Sequence, residues 1–357
     1  MSAPIAFVDV WDSNDYDLII DVRSPGEFKE DHIPGALNLP VLSDEERKII
    51  GTKHKELSPF EARKLGASFV AKNIAGHIQS DLKNKRRDFT PLIYCWRGGQ
   101  RSKSFALICS EIGWRAFILS GGYKNYRRGV IDKIEELVLG LSFVVIAGRT
   151  GTRKTDILET LNQRGAQVLD LEKLASHRGS LLGKLEELEQ PSQKMFETLI
   201  MDALRQFDPD RVVFLESESQ KIGQRQIPRA LWKFIKISPQ ITVSAPRNSR
   251  ASTLSKKYNY LTKDRENLKK LIKKIPGRHG PNRTEYWCSL ITQNLWEKLS
   301  YDLLEFHYDP SYDNSLKNND RTTIFEYEHA DCSDGVLLKT AEDILSKNLS
   351  GDCLTLR

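Results

Sequence analysis

The sequence predicts an α/β protein built from two parallel-sheet units in series, expected over residues 1–138 and 139–357. Three observations predict it. Short apolar runs alternate with stretches of helical periodicity along most of the 357 residues, the pattern of strands joined by crossover helices. One apolar run, Leu92 to Tyr94, ends in Cys95 and a glycine turn that opens a helix. A second, Ser142 to Ala147, ends in Gly148-Arg-Thr-Gly-Thr-Arg-Lys-Thr155, again before a helix. Ligands of parallel sheets bind beyond the carboxyl ends of the strands, so both turns are candidate sites.

Composition narrows the class. A hydrophobic content of 39% and a charged content of 29% describe an ordinary soluble globular chain. The net charge of +6 suits a nucleic-acid partner without requiring one. The five cysteines are odd in number and widely spaced, with no CxxC pair. Neither a disulfide framework nor a zinc site is expected. Residues Met1 to Val8 lack a basic region and a long apolar core, so no signal peptide or membrane span is expected. A cytoplasmic location follows, where a reactive thiol persists.

In chain order, Asp17 to Val22 reads as a strand. Ser24-Pro-Gly-Glu27 starts a helix, with Ser24 as N-cap, Pro25 at the first position and Glu27 closing a capping box. His32 to Leu39 is a turn into another strand, Pro59 to Ser80 a helix, and Leu92 to Cys95 a strand. Ser102 to Ile112 is helical, Ala116 to Leu119 a strand, and Gly121 to Arg128 opens the last helix of the unit. Cys95 then sits between a strand end and a helix N-terminus, among free N–H groups that favour an anion and stabilise a thiolate. Gly98 and Gly99 let the turn curl with its amides inward, and Arg97 and Arg101 add charge. The alternative is a small buried thiol, against which the glycine pair and the arginines argue.

The second unit begins near Leu141. Gly148, Thr150, Gly151, Thr152, Arg153, Lys154 and Thr155 lie between a strand and the helix Asp156 to Gln163, the context of a P-loop. Its amides would cradle a diphosphate, Lys154 would reach a phosphate, and Thr155 would hold any accompanying Mg²⁺. Arg153 stands where GxxxxGK[ST] has its last glycine; it either adds a phosphate contact or obstructs the cradle. Arg211 to Leu215 is the next strand, and Glu218 beyond it is the candidate metal-holding or basic carboxylate, with a solvated cap as the alternative. Ser192 caps a helix; Ile237 to Ser244 is a strand; Thr284 to Phe306 is one long helix ended by His307-Tyr-Asp-Pro310; Thr322 to Tyr327 and Val336 to Lys347 add a strand and a helix. Lys256, Lys257, Lys269, Lys270, Lys273, Lys274, Arg278 and Arg283 form a basic run near Tyr258, Tyr260, Tyr286 and Trp287. Such a run follows a phosphate backbone with rings stacked on bases, or is a solvated helix face.

Asp21-Val-Arg-Ser-Pro-Gly-Glu-Phe28, His32-Ile-Pro-Gly-Ala-Leu-Asn38, the Cys95 loop and Leu119-Ser-Gly-Gly-Tyr123 together resemble a rhodanese domain. Five residues separate Cys95 from Arg101, one more than in ordinary sulfurtransferases; this resembles rhodanese-like phosphatases and suits a phosphate-sized anion. Together with Gln190-Pro-Ser-Gln193, Glu216-Ser-Glu218, Ile222-Gly223, Arg278-His-Gly280 and His307-Tyr-Asp-Pro310, the whole chain resembles the bacterial tRNA 2-selenouridine synthases. The resemblance implies a rhodanese-like domain followed by a P-loop NTPase-like α/β domain. It implies a transferase that replaces sulfur by selenium in wobble 2-thiouridine of tRNA, with selenophosphate and geranyl diphosphate as co-substrates and no permanently bound cofactor. A selenophosphate-supplying enzyme is then a candidate partner. The alternatives are a sulfurtransferase or phosphatase fused to an NTPase-like RNA-binding domain, and a non-catalytic RNA-binding protein.

Overall fold

The structure is a computed structural model that describes residues 3–12, 15–56, 58–177, 189–216, 219–275, 280–316, 321–347 and 349. It separates into two compact units, 1–133 with 191–202, and 134–190 with 203–357.

The first unit contains β1 (Ala6–Val8), β2 (Leu18–Asp21), α1 (Pro25–Glu30), β3 (Leu37–Asn38), α2 (Asp44–Glu56), α3 (Pro59–Gln79), β4 (Pro91–Tyr94), α4 (Gln100–Ile112) and β5 (Phe117–Leu119), followed by α5 (Gly122–Leu139). The sheet runs β1-β5-β4-β2-β3 with every pair parallel. The apolar run Leu92–Tyr94 takes the central position, every residue of β4 buried, as a strand covered on both faces requires. Ile20, Ile93, Phe105, Cys109 and Ile118 form its core with Trp114. Fully burying Phe105 contributes about 2–3 kcal/mol. α4 stops at Gly113, whose φ of 100° is the left-handed C-cap that glycine adopts without strain. At α1, Glu27 Oε2 accepts from the Ser24 N–H at 3.1 Å, the reciprocal half of the capping box.

The remaining elements are β6 (Phe143–Ala147), α6 (Lys154–Gln163), β7 (Gln167–Leu169), α7 (Leu171–Leu174), α8 (Gln193–Leu204), β8 (Val213–Leu215), β9 (Lys221–Ile222), β10 (Arg225–Gln226), α9 (Arg229–Ile237), β11 (Gln240–Ser244), α10 (Arg247–Lys257), α11 (Arg265–Ile272), α12 (Pro281–Thr292), α13 (Trp296–Leu303), α14 (Asp309–Leu316), β12 (Thr323–Glu328) and α15 (Asp334–Ser346). A second parallel sheet runs β12-β11-β6-β8-β7, with β6 at its centre. β9 and β10 form a separate antiparallel pair. Val144, Ile146, Ile157, Leu161, Phe214 and Ile241 build the sheet core. Leu268, Ile272, Trp287, Leu290 and Leu303 build a second core among the helices that follow β11.

Most of α8 belongs to the first unit. Ser192 caps it, its Oγ accepting from Met195 N–H at 3.0 Å. Lys194 pairs with Glu30 at 2.7 Å and Glu197 with Arg127.

Three sequence expectations change here. Ile237 does not start a strand but ends α9, and β11 begins at Gln240. Ser238 is extended, as a residue before proline is pushed to be, and this separates the two elements. The helix expected over Thr284 to Phe306 is broken between α12 and α13, where Asn294 adopts φ 58°. His307-Tyr-Asp-Pro310 does not terminate a helix: Leu304–Tyr308 is π-helical and α14 follows directly. Pro310, which has no N–H to donate, directly follows the π-helical turn, where Asp309 N–H already bonds Leu304 O and the regular i→i−4 ladder is interrupted.

Candidate active site

Cys95 follows β4 directly and is buried, in the wall of an open cavity of about 350 Å³ lined by Trp96, Arg97, Gly99, Gln100 and Arg101. The Gly99 N–H donates to Cys95 Sγ at 3.2 Å, and the Ser102 hydroxyl lies 3.3 Å from it. Burial pushes the thiol up. The hydrogen bonds from the Ser102 hydroxyl and from the Ser102 and Arg97 backbone N–H groups, with the Arg101 charge, outweigh that and hold Cys95 below the ordinary thiol range. The amides therefore turn toward the sulfur.

The turn is held from behind by the start of α5. Tyr123 N–H donates to the Cys95 carbonyl at 2.8 Å and Lys124 N–H to that of Trp96 at 3.0 Å. Gly122, at φ 56°, makes this possible: a Cβ there would meet Cys95 O at 2.3 Å and Gly98 N at 2.6 Å. Arg101 lines the cavity but is tied to Glu27 at 2.8 Å, which also takes Arg47 at 3.2 Å. Arg97 is exposed at the rim.

In the second unit β6 delivers the loop 148–155 to the N-terminus of α6. Lys154 Nζ donates to the Gly148 carbonyl at 2.6 Å and Thr155 Oγ1 to Glu216 Oε1 at 2.8 Å. Thr152 is buried, its hydroxyl donating to Arg149 O at 2.9 Å. Gly151 takes φ 88° and packs on Arg250. Arg153 takes φ 62° and ψ 36°, the left-handed conformation for which glycine is the usual residue. Its guanidinium is drawn aside by Asp156 at 2.8 Å, the Cys332 carbonyl at 3.0 Å and Asp334 at 2.6 Å. The left-handed turn into α6 is kept without the glycine.

A family model described as the tRNA 2-selenouridine synthase AAA domain matches residues 141–278, and a rhodanese-like domain model matches residues 8–128. The tRNA 2-selenouridine synthase of Sulfurovum sp. strain NBC37-1 is 31% identical over 341 residues, covering 86% of this chain and 91% of that one. That of Alcanivorax borkumensis is 32% identical over 345 residues, 88% and 94% of the two chains.

The chain belongs to the tRNA 2-selenouridine synthase family.

In this member Glu218 and Arg278 lie outside the described residues. The described carboxylate after β8 is Glu216, buried and bonded to Thr155. Sequence reading passes over it because a buried carboxylate and a cap look alike in one dimension. The basic run divides. Lys256, Lys270, Lys273 and Lys274 are exposed, Lys257 lies 3.5 Å from Asp156, and Lys269 lies 2.8 Å from Glu266. Arg283 is committed to packing: it pairs with Asp302 at 3.1 Å and covers the Phe306 ring at 3.6 Å. Trp287 is fully buried and donates to Asp302 at 2.6 Å, so its ring is core and not a platform for a base.

Two further groups of positioning residues carried weak sequence signals. Glu27 read as a helix cap, and it also restrains Arg101. Arg250, buried, is bonded to both oxygens of Asp309 at 2.9 Å and to the Thr150 carbonyl at 3.0 Å, bracing the loop 148–155. No local signal links Arg250 to a carboxylate so far along the chain.

Proposed function

We propose that this chain works in the cytoplasm on tRNA, replacing the 2-sulfur of wobble 2-thiouridine by selenium from selenophosphate through an S-geranyl intermediate. Family membership supports the substrate class. The observation that carries the chemistry is a buried thiol at the end of a central strand, with the Ser102 hydroxyl 3.3 Å and the Gly99 N–H 3.2 Å from its sulfur, where the Ser102 hydroxyl, backbone N–H groups and Arg101 hold it below the ordinary thiol range. That is the environment of a nucleophilic or chalcogen-carrying cysteine.

The loop 148–155 with Lys154 suits the diphosphate of geranyl diphosphate, with Thr155 and Glu216 beside it for Mg²⁺. The uridine C2 sulfur attacks geranyl C1, the carbon–oxygen bond breaks, and its electron pair leaves with the diphosphate. Preorganised amides and Lys154 stabilise that departing charge. Alkylation converts a poor leaving group into a good one. Cys95, as the thiolate, then attacks C2 and displaces geranylthiolate; the selenium of selenophosphate displaces the Cys95 thiolate in turn, and water cleaves the selenium–phosphorus bond to release phosphate, with Arg97 and Arg101 orienting that anion. The exposed lysines of α10 and α11 suit the tRNA backbone.

The test is mass analysis of wobble nucleosides after incubation with tRNA, geranyl diphosphate and selenophosphate. Cys95→Ser should accumulate the geranylated nucleoside, and Lys154→Ala should form neither product. Selenouridine made by Cys95→Ser from geranylated tRNA would remove the thiol from the chemistry.

A further inference from the structure

Trp96 is left without a task by the chemistry above. It follows Cys95 directly, is 36% exposed, and lines the same cavity. An indole offered to water beside a reactive sulfur forgoes the burial that aromatic side chains usually gain. It is also held in place. The Lys124 N–H fixes its backbone carbonyl. Its ring lies 5.3 Å from that of Tyr123, inclined at 33°. Tyr123 is itself fixed, its hydroxyl donating to Asp31 at 2.7 Å and its ring covered by the Arg23 guanidinium at 3.9 Å. The result is a rigid aromatic face adjoining a thiol, with Arg97 and Arg101 in the same cavity.

We propose that Trp96 is the platform on which the pyrimidine being modified stacks, with its C2 substituent turned toward Cys95. The inference rests on the reading of this site as one that acts on 2-thiouridine. A flat ring with polar edges and a flanking phosphate matches an indole beside guanidinium groups. A geranyl chain is the other apolar candidate. It would gain most from an enclosed groove, whereas this cavity is open to solvent.

The experiment uses the full chain and an anticodon stem-loop RNA carrying 2-thiouridine or its S-geranyl form. Trp96→Ala and Trp96→Leu should raise KM for both RNAs roughly 10- to 100-fold, with a much smaller change in kcat. Trp96→Phe, which keeps a π-face, should recover most of the loss. Leucine rescuing as well as phenylalanine, with the defect confined to the geranylated RNA, would assign the indole to the prenyl chain and overturn the proposal. So would an Ala variant with wild-type KM. Alkylation of Cys95 with and without the 2-thiouridine RNA provides a second readout, and the ratio of the two rates cancels any change in the thiol itself. RNA should protect the wild type and the Phe variant but neither the Leu nor the Ala variant. If the wild type makes no selenouridine, the proposed function fails, and this protection ratio still decides Trp96.

Discussion

Arg153 is held in a left-handed backbone conformation by its side chain, and that balance can be measured. Replacing it with glycine and with alanine removes the same three partners, Asp156, Asp334 and the Cys332 carbonyl. The bond to the carbonyl contributes about 1 kcal/mol. The two carboxylates add a few tenths each, since Asp334 is 92% exposed and the pairs are screened. Loss of the side chain should therefore cost about 2 kcal/mol. At φ 62° glycine then recovers about 1 kcal/mol of backbone strain, and alanine recovers none. Arg153→Gly should lie about 1 kcal/mol below the wild type and Arg153→Ala about 2 kcal/mol below it, the reverse of the order expected at a right-handed position. Urea unfolding of the full chain, followed by far-UV circular dichroism, reads the midpoint of the transition that these variants move. An alanine variant as stable as the glycine variant would refute the left-handed assignment. Because the guanidinium faces Asp156 and Asp334, neither change should weaken pyrophosphate binding more than about threefold, as expected of a group outside the cradle.

Further outcomes follow from the same geometry. Cys95 should alkylate at a rate that plateaus to lower pH than free cysteine does, because the thiolate persists down to its lowered pKa; Ser102→Ala should move the profile upward, while Cys109, pushed up to about 12 by burial, stays unlabelled at neutral pH. Gly122→Ala should destabilise the chain by at least about 2 kcal/mol and raise the pH at which Cys95 reacts, since the added methyl meets Cys95 O at 2.3 Å; a wild-type unfolding curve would contradict this. Asp309→Ala leaves the buried Arg250 guanidinium uncompensated and should cost about 3–5 kcal/mol in urea unfolding. Charge reversal at Lys270, Lys273 and Lys274 should weaken tRNA binding and reduce the slope of log affinity against log salt by about 1 for each phosphate no longer neutralised, whereas reversal at distant surface lysines should leave the slope intact.

Much of this molecule was legible one residue at a time. Apolar runs such as Leu92–Tyr94 and Phe143–Ala147, short and bounded by turn residues, read as covered strands, and the glycines after Cys95 and before Lys154 read as turns. The Ser24–Glu27 cap was equally local, because its partners are three residues apart. What the chain could not state locally are pairings between distant segments. That Glu27 restrains Arg101, that Asp309 braces the loop 148–155 through Arg250, and that residues 191–202 pack with the first unit all depend on groups brought together only by folding. The same holds for Trp287 and Arg283, which read as RNA-binding groups by composition: the first is buried in the core, and the second, half-buried, pairs with Asp302. Periodicity records which residues leave water; only the packed structure decides which polar group each one meets there.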